Sequence, residues 1–557
     1  YGHITGSGWP YIATNGVLDD AALDAIARYD EVILDVNPIT PYRPDLLAAL
    51  RARHPDIRVL AYVLGQDIWA AADVDSLHHF PTRVRRLVRD LDGFLYNAVN
   101  GTLYPGSDIN LAKRDASGRY IVAEGLAALM DTVIIQSHQW DGIFVDMLCD
   151  GIVWTQDATT RIDYAAAGYP TIEAFDAAWH VGADTLAHHL RRYAGWHSIL
   201  VGNCATSVQQ DIFNGWMREN FPFQNGGTWA SNVLDPTHGY FADDRLHLHP
   251  THDYIFSALS GDSTTWASSE NVRRMRFGLG TASLGDGYGV FGPSDRNERT
   301  APYHRWWYDE YAVDRATGRS VTDLAHTHWL GDPSGAWSQL IWSSRERDAI
   351  TNGGFENNVT NGWSFHVLTP AVATFTRDGT TSGVGKASAR IHITQAGAVD
   401  WQVNLDTANR WSVTAGTEYS ATFWAKASST RTITVVATLP EGGAAASGAV
   451  TLGTTWRQFQ VVLVPSTSIS TSLDFYLGAE MGDVWLDDIH FQSGVTSVYR
   501  RDFLNGIVLV NPSARSLTFG TEKTFRHLVG TLDPTTNDGS TAKRFTVRAS
   551  DALFLLN

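Results

Sequence analysis

The chain has 557 residues, and this length predicts two to four domains rather than one. Its 42 basic and 59 acidic residues give a formal net charge of −17, the wrong sign for a protein that binds nucleic acid or an anionic membrane. Two cysteines exclude a disulfide-rich scaffold, and no apolar run approaches the roughly 20 residues of a membrane span. Scarce Cys and Lys favour a secreted bacterial enzyme, and a start at Tyr1 without a signal peptide is expected of a processed or trimmed product.

Residues 1–330 alternate short apolar runs with segments of helical periodicity. Amphipathic stretches at 19–29 and 171–193 separate several of the runs. Eight strands interleaved with helices predict an α/β fold, a (β/α)8 TIM barrel. The alternative is a doubly wound sheet, but no Gly-rich phosphate loop follows the first strand. The predicted strands are 31–38, 57–65, 92–99, 141–148, 198–204, 212–220, 254–261 and 274–287.

The remainder of the chain predicts β-sandwich domains that follow the barrel. Residues 348–495 are short Thr-, Ser- and Val-rich strands with Gly-rich turns and no helical period. A smaller β-domain follows at 496–557, where Asn505-Gly506 between two apolar runs predicts a hairpin. If residues 331–347 belong to this last domain, the sandwich is an insertion into it.

Polar residues follow several of the predicted strands. Barrel enzymes carry their chemistry at the carboxyl ends of the strands, so these residues are candidates for a site at one mouth. They are Asp35, Tyr62, Gln66, Asp146, Asn203, Arg218, Glu219 and Asp286.

Asp146 and Glu219 are the predicted catalytic pair, because cleavage of a glycosidic bond needs two carboxyl groups that flank it. Asp146 directly follows four apolar residues, so the strand would deliver it to the mouth on a rigid support. Glu219 lies among aromatic residues, where partial desolvation would raise its pKa and suit it to act as an acid. The structural alternatives are a helix N-cap for Asp146 and an ion pair with Arg218 or a neighbour for Glu219. Asp286 is an alternative acid or a sugar contact, although Asp between glycines is also ordinary turn chemistry.

Aromatic side chains after the strands are candidate stacking platforms for sugar rings. Asp35, Tyr62, Gln66, Asn203 and Arg218 are the predicted polar contacts to the substrate. The predicted platforms are Trp154, Trp216, Trp229 and Tyr288.

The two cysteines and one histidine pair leave alternatives open. Cys149 and Cys204 follow neighbouring strands, so they are either a disulfide beside Asp146 or two buried thiols. His247 and His249 would share one face of a strand and could bind a metal, but no third ligand is evident nearby.

Six motifs carry a resemblance to a known family: "VILDVNP", "DGIFVDM", "NGWMRENFP", "LGDGYG", "WWYDEYAVD" and "YRRDFLNGIVLVNP". Over 1–340 and 496–557 the chain resembles bacterial glycoside hydrolase-like (β/α)8 proteins with a trailing β-domain. The first part is also similar to the barrels of the dextranase and cycloisomaltooligosaccharide glucanotransferase family. This resemblance implies an aspartate nucleophile at Asp146, an acid/base at Glu219, a retaining mechanism and an α-linked substrate.

The middle region is similar to carbohydrate-binding modules of the family 4/9 type, on "NGGFE" near its start and "VWLDDIHF" at its end. The resemblance implies a structural Ca²⁺ with Glu356 and Asp488 as ligands. Trp363, Trp401 and Trp424 belong either to its core or to its binding face.

Together these features predict a secreted glycoside hydrolase that acts on a polysaccharide or oligosaccharide and needs no cofactor for catalysis. Two alternatives are a transglycosylase that uses the same carboxylates and a non-catalytic carbohydrate-binding protein. A nucleic acid or a membrane is not expected as a partner.

Overall fold

A computed structural model gives the architecture of most of the chain. None of the described helices is both long and apolar enough to cross a membrane. The structure describes residues 2–5, 20–36, 45–68, 80–204, 211–222, 227–235, 237–293, 305–341, 349–493 and 497–557.

The first part of the chain is an α/β unit built on one parallel sheet. Its strands pair in sequence order from the first to the eighth. The elements are β1 (Gly2–Thr5), α1 (Asp20–Ile26), β2 (Glu31–Asp35), α2 (Leu46–Arg53), β3 (Arg58–Leu64), α3 (Phe80–Asp90), α4 (Ile121–Val133), β4 (Gly142–Asp146), α5 (Ile172–Ala194), β5 (Ile199–Asn203), β6 (Gly215–Arg218), α6 (Trp229–Val233), α7 (Tyr240–Leu246), β7 (Tyr254–Ala258), α8 (Ser269–Leu284) and β8 (Tyr288–Gly292).

The predicted closed (β/α)8 TIM barrel is wrong. Among the described residues, β8 pairs with β7 and β1 pairs with β2, and no hydrogen-bonded ladder joins β8 to β1. The helices are also irregular, because α3 and α4 both lie between β3 and β4. The hydrogen-bonded pairing of the described strands therefore does not close into a barrel.

Two predicted strands have other structures. In the segment 92–99, Phe94 and Tyr96 make only isolated bridges, to Ile109 and Leu103. The segment 274–287 is most of α8, which is buried on nearly all sides, so its apolar run lacks the polar face that marks an amphipathic helix. The eighth strand follows it at 288–292, and the first strand, β1, was not predicted.

The two faces of the parallel sheet differ in what covers them. Helices pack on one face, in clusters that include Val59, Val63 and Ile143. The other face carries a separate apolar cluster that includes Leu60, Tyr62 and Phe144 and is formed by strand side chains alone. Because side chains alternate along a strand, Asp146 lies on the same face as Phe144.

Residues 349–493 form two antiparallel sheets that enclose one core, which includes Phe355, Trp363 and Phe423. One sheet has the order β13-β14-β22-β17-β20, and the other has β12-β15-β21-β18-β19 with β16 beside β21. After β9 (Val313–Asp314), β10 (Arg319–Ser320) and β11 (Ser338–Ile341), the strands are β12 (Trp363–Val367), β13 (Val372–Asp378), β14 (Ser388–Gln395), β15 (Val403–Thr407), β16 (Trp411–Val413), β17 (Tyr419–Ala427), β18 (Arg431–Thr438), β19 (Ala444–Leu452), β20 (Arg457–Leu463), β21 (Ile469–Tyr476) and β22 (Gly482–Ser493).

The last sheet joins chain from both sides of this sandwich. Its strands are β11, β23 (Ser497–Phe503), β24 (Gly506–Asn511), β25 (Leu517–His527), β26 (Thr541–Val547) and β27 (Asp551–Leu556). They are arranged in the order β11-β23-β24-β27-β25-β26, and β11 is antiparallel to β23 with Ile341 opposite Ser497. Helix α8 packs closely against this sheet, since a Cβ on Gly280 would lie 2.4 Å from the Cβ of Ala552.

Candidate active site

Asp146 ends β4 at the carboxyl edge of the parallel sheet. The four residues before it are buried, and its backbone lies in register with Asn203 at the end of β5. Its Oδ1 accepts hydrogen bonds from the backbone N–H of Met147 at 2.8 Å and from Nδ2 of Asn203 at 3.0 Å. Its Oδ2 accepts one from the hydroxyl of Tyr62. These donors fix the orientation of the carboxylate.

Asn203 bridges Asp146 and Glu219. Its Nδ2 donates to Oδ1 of Asp146 at 3.0 Å and to Oε1 of Glu219 at 2.8 Å. Because both oxygens accept from the same nitrogen atom, at 3.0 and 2.8 Å, they are at most 5.8 Å apart. Two carboxyl groups from different strands therefore face one small region at the carboxyl edge.

Tyr62 reaches the site from β3. In the register of the sheet Leu64 lies opposite Asp146, and Tyr62, two residues earlier, points to the same face. Its ring stacks on Phe144 with centroids 5.9 Å apart, which holds the hydroxyl beside the carboxylate.

Glu219 follows β6 directly, and the side chain before it points elsewhere. The guanidinium of Arg218 is buried in an ion pair with Asp243 and donates to the carbonyl of His238 at 2.8 Å. Arg218 is thus engaged behind the site, while Glu219 is turned toward Asn203. Arg218 therefore does not form the ion pair with Glu219 that the sequence left as an alternative.

Three residues that were predicted as substrate contacts instead make hydrogen bonds within the protein. Gln66 is buried, donates to Oγ of Ser107 at 2.8 Å and accepts from the N–H of Cys149 at 3.3 Å. The indole N–H of buried Trp216 donates to the carbonyl of Cys204, and that of buried Trp229 donates to Oγ1 of Thr281. Each of the three side chains is buried, and its polar group is bonded within the protein.

Asp286 and Tyr288 lie at the other edge of the sheet. Tyr288 is the first residue of β8, so it is at the amino end of a strand, whereas Asp146 is at a carboxyl end. Its hydroxyl accepts a hydrogen bond from Arg58 at 3.0 Å, and Asp286 pairs with Arg501 at 2.7 Å. The prediction that they share the mouth with Asp146 followed from reading α8 as the eighth strand.

Two further predicted contacts lie at the carboxyl edge. Asp35 ends β2 in register with Tyr62, and its side chain lies outside the described residues. Trp154 lies in a short 3₁₀ turn after β4, and its indole N–H donates to the carbonyl of Gly151 at 2.7 Å. The residue is 68% exposed, as a platform for a sugar ring requires.

Cys149 and Cys204 form a disulfide that connects the loop after β4 to the end of β5. The bond joins the chain just beyond Asp146 to the chain just beyond Asn203. The carbonyl of Cys149 accepts a hydrogen bond from the indole of Trp179 at 3.0 Å. The disulfide therefore stabilises the connection between the two strand ends that carry the site.

Removal of this disulfide is expected to lower the free energy of unfolding by about 4 kcal/mol, the chain-entropy value for a closed loop of this length. The two cysteines are 55 residues apart in the chain. The measurement is urea denaturation of the native chain and of a Cys149→Ala/Cys204→Ala variant, each with and without dithiothreitol. Reductant should destabilise only the native chain, and an equal response of both proteins would contradict the prediction.

Neither predicted metal site is a cluster of charged ligands. The described part of the chain contains no group of three or more His, Cys, Asp or Glu side chains placed to hold a metal. His247 is buried against Asp253 and His249 is exposed, so the two rings do not share a face. In the sandwich, Oε1 of Glu356 accepts from the N–H of Lys386 at 2.9 Å, and Oδ1 of Asp488 lies 3.1 Å from Nε2 of His490.

The outer face of the β12-β15-β21-β18-β19 sheet is polar. Nδ2 of Asn404 donates to Asp474 at 2.9 Å, and His366 lies 3.1 Å from Asp406. Burial, and then the charge of Asp474, raises the pKa of Asp406. Trp401, in the 3₁₀ turn just before β15, is 48% exposed. Trp363 is buried in the core of the sandwich, and Trp424 is half-buried on β17.

Comparison with known proteins identifies the sandwich. Residues 347–481 match a family of carbohydrate binding domains, CBM_4_9. A solved CBM4 module is 21% identical, with a TM-score of 0.22, and the match covers 26% of this chain and 99% of that one. The CBM22-1 xylan-binding domain from Paenibacillus barcinonensis is 14% identical, with a TM-score of 0.20 and coverage of 25% and 91%. An arabinose-bound GH51 α-L-arabinofuranosidase is 17% identical, with a TM-score of 0.23 and 26% of each chain covered.

No curated protein matches the chain. The prediction of a carbohydrate-binding domain is confirmed for residues 347–481, and a saccharide is the ligand class of this domain. The resemblance of the first part to the dextranase group stays a prediction.

Proposed function

We propose that the protein is an enzyme that hydrolyses a glycosidic bond, with Asp146 as nucleophile and Glu219 as general acid and base. The observation that carries the proposal is the bridge through Asn203, whose amide donates to both carboxylates. One amide between two carboxylates gives the two flanking groups that this reaction needs. The presence of a carbohydrate-binding domain in the same chain supports a saccharide as the substrate.

The spacing of the carboxylates favours retention of configuration. Acceptor oxygens that are at most 5.8 Å apart suit the separation of about 5–5.5 Å in retaining glycosidases better than the about 6.5–9.5 Å of inverting enzymes. Asp146 would attack the anomeric carbon while Glu219 protonates the leaving oxygen. Glu219 would then remove a proton from the water that hydrolyses the glycosyl ester.

Three donors suit Asp146 to the role of nucleophile. Tyr62, Asn203 and the N–H of Met147 hold the carboxylate in one orientation, as attack at a fixed carbon requires. Trp154 would stack on a neighbouring sugar ring of the substrate. The α-linkage of the substrate rests on the resemblance of the sequence motifs to the dextranase group.

The test is hydrolysis of plant, fungal and bacterial polysaccharides by the native chain, with the first-formed anomer read by ¹H NMR. Retention is expected, so an α-linked substrate should first release the α-anomer. First release of the anomer opposite in configuration to the cleaved linkage would contradict the double-displacement mechanism. Transfer to an added sugar in place of hydrolysis would identify a transglycosylase, and binding without turnover of any glycan would identify a non-catalytic protein.

The proposed location is outside a bacterial cell. The disulfide between Cys149 and Cys204 supports an oxidising compartment, where such bonds persist. A polysaccharide too large to enter a cell is also a substrate that an external enzyme reaches first. The carbohydrate-binding domain would hold the chain on this polymer.

We also propose a structural Ca²⁺ in the carbohydrate-binding domain. Glu356 lies against Gly385, and the carboxylate of Asp487 accepts N–H bonds from Gly383 at 2.8 Å and Val384 at 2.9 Å. Two acidic side chains therefore meet one loop, whose carbonyl oxygens would complete a set of the kind that Ca²⁺ prefers. Asp487 fits this loop better than the predicted Asp488, whose carboxylate is beside His490.

Removal of calcium is expected to destabilise this domain. At a Ca²⁺ concentration 100 times the dissociation constant, binding contributes about 2.7 kcal/mol, which EDTA would remove. The measurement is calorimetric unfolding with CaCl₂ or EDTA, for the native chain and for Glu356→Gln. An EDTA effect on the domain that persists in Glu356→Gln would rule out this ligand.

A further inference from the structure

A second group of buried oxygen atoms lies beside the active site, between the loop after β3 and the loop at 107–110. Asp108 is 5% exposed and Asn110 is 1% exposed. Within the described part of the chain, Oδ1 of each receives no hydrogen bond. A buried oxygen without a donor costs about 1–3 kcal/mol, and more when it is charged. Two such atoms in one short segment therefore call for a ligand.

Backbone pairing places these two side chains on one face. Ile109 forms a bridge with Phe94, and the flanking bonds run from the N–H of Leu95 to the carbonyl of Asp108 and from the N–H of Asn110 to the carbonyl of Gly93. The chain is thus extended here. Since side chains alternate in extended chain, Asp108 and Asn110 point away from the side of Ile109, which lies in the apolar core.

Asp67 adds a second carboxylate to this face. Its loop is bound to the segment through the N–H of Ile109, which donates to the carbonyl of Gln66 at 3.1 Å. Burial, and then the charge of Asp67, raises the pKa of Asp108, and burial raises the pKa of Asp67. The charge of Arg85 lowers the pKa of both, but one guanidinium balances only one carboxylate. Among the described residues, two ionised carboxylates beside this guanidinium would carry one excess negative charge.

One proton shared by the two carboxyl groups would leave a single negative charge, which Arg85 balances, but the amide oxygen of Asn110 would still lack a donor. A cation would satisfy all three oxygens. Carboxylate and amide oxygens on flexible loops are typical calcium ligands, whereas Mg²⁺ demands near-octahedral geometry. Asp67 is only half-buried, so a cation could reach the group from solvent.

We propose that Asp67, Asp108 and Asn110 bind a Ca²⁺ ion, separate from the one proposed for the carbohydrate-binding domain. The ion would hold the loop after β3 against the segment 107–110. Gln66, in the same loop, accepts the N–H of Cys149, so this cation would also fix the disulfide-bonded strand end beside Asp146.

The test is calorimetric titration of the full chain with CaCl₂ after treatment with EDTA. The native chain should bind one Ca²⁺ more than Asp108→Asn, which removes one charge without a change of shape. Glu356→Gln, which affects only the carbohydrate-binding domain, should keep the site at Asp108. Loss of that site in Asp108→Asn but not in Glu356→Gln is expected, whether or not the other calcium exists.

A second variant keeps the proposal open to refutation if Asp108→Asn folds poorly. Asn110→Asp adds a carboxylate at the same position, and it should bind Ca²⁺ roughly tenfold more tightly, because ligand charge tunes calcium affinity. Equal calcium binding by the native chain, Asp108→Asn and Asn110→Asp would overturn the proposal. A gain in thermal stability of Asp108→Asn at pH 8 that Ca²⁺ does not alter would instead identify a pair that shares a proton.

Discussion

Asp146→Asn is expected to hydrolyse the substrate at least roughly a thousandfold more slowly than the native chain, because a neutral amide cannot form the glycosyl ester. The substitution keeps the shape of the side chain and its place at the end of β4. The loss should therefore appear in kcat with unfolding unchanged. The measurement is the initial rate of release of reducing sugar, together with a denaturation curve.

Asp141→Asn is the matched control. Asp141 immediately precedes the same strand at its amino end and pairs with Arg51 at 2.9 Å, on the surface of the protein. The same chemical change there should alter the rate by less than about twofold and stability by less than about 1 kcal/mol. Equal activity of both variants would reject Asp146 as the nucleophile.

Glu219→Gln separates the role of an acid from that of a nucleophile. When a polysaccharide is cleaved, the departing sugar is a poor leaving group that needs protonation. Cleavage of a polysaccharide by this variant should therefore be nearly abolished. The dinitrophenolate of a dinitrophenyl glycoside leaves without protonation. Formation of the glycosyl ester should therefore be spared with this substrate and should give a burst of dinitrophenolate. Equal losses on both substrates would exclude Glu219 as the acid.

Arg276→Met is expected to lower the free energy of unfolding by about 3–5 kcal/mol, the usual cost of removing one partner of a buried ion pair. The guanidinium is fully buried and binds both oxygens of Asp551 at 2.8 Å and one oxygen of Asp533 at 3.1 Å. Glu310 lies 3.5 Å away. The substitution would remove the cation that all three acidic side chains share between α8 and the C-terminal sheet, and Arg548 would still pair with Asp533 and Asp551.

The control for Arg276 is Arg119→Met. Arg119 is exposed and pairs with Glu124 on the surface, where ion pairs contribute less than about 1 kcal/mol. Urea denaturation of both variants gives the comparison. A similarly small loss of unfolding free energy in both variants would mean that the buried network contributes little to the stability of the contact between α8 and the C-terminal sheet.

The two carboxylates could be found from the sequence because the signal is local. A run of four apolar residues ending in Asp146 predicts both the strand and the end at which the side chain emerges. Glu219 follows a shorter strand by the same logic. Asn203, predicted as a substrate contact, joins the pair because its strand ends at the same level of the sheet.

Local patterns in the sequence could not show whether the sheet closes into a barrel or where its eighth strand lies. Closure depends on pairing between β1 and β8, which are nearly 300 residues apart, and no local pattern reports it. Helix α8 was predicted as a strand because it packs against elements on several sides. A Cβ on Gly278 would lie 2.2 Å from Oγ of Ser257, so the glycine serves close packing and not a turn. Asp286 was assigned to the wrong edge of the sheet as a result.

The pairing of β11 with β23 makes the whole carbohydrate-binding domain equivalent to the loop of a hairpin. Ile341 and Ser497 are opposite each other in the ladder, so the chain leaves and rejoins the C-terminal sheet at one place. Replacement of residues 342–496 by a short turn would keep that ladder intact. The strand pair is thus the covalent attachment point of the domain, and hydrogen bonds from Gln339 and Ser497 to Gln460 hold the domain against this ladder.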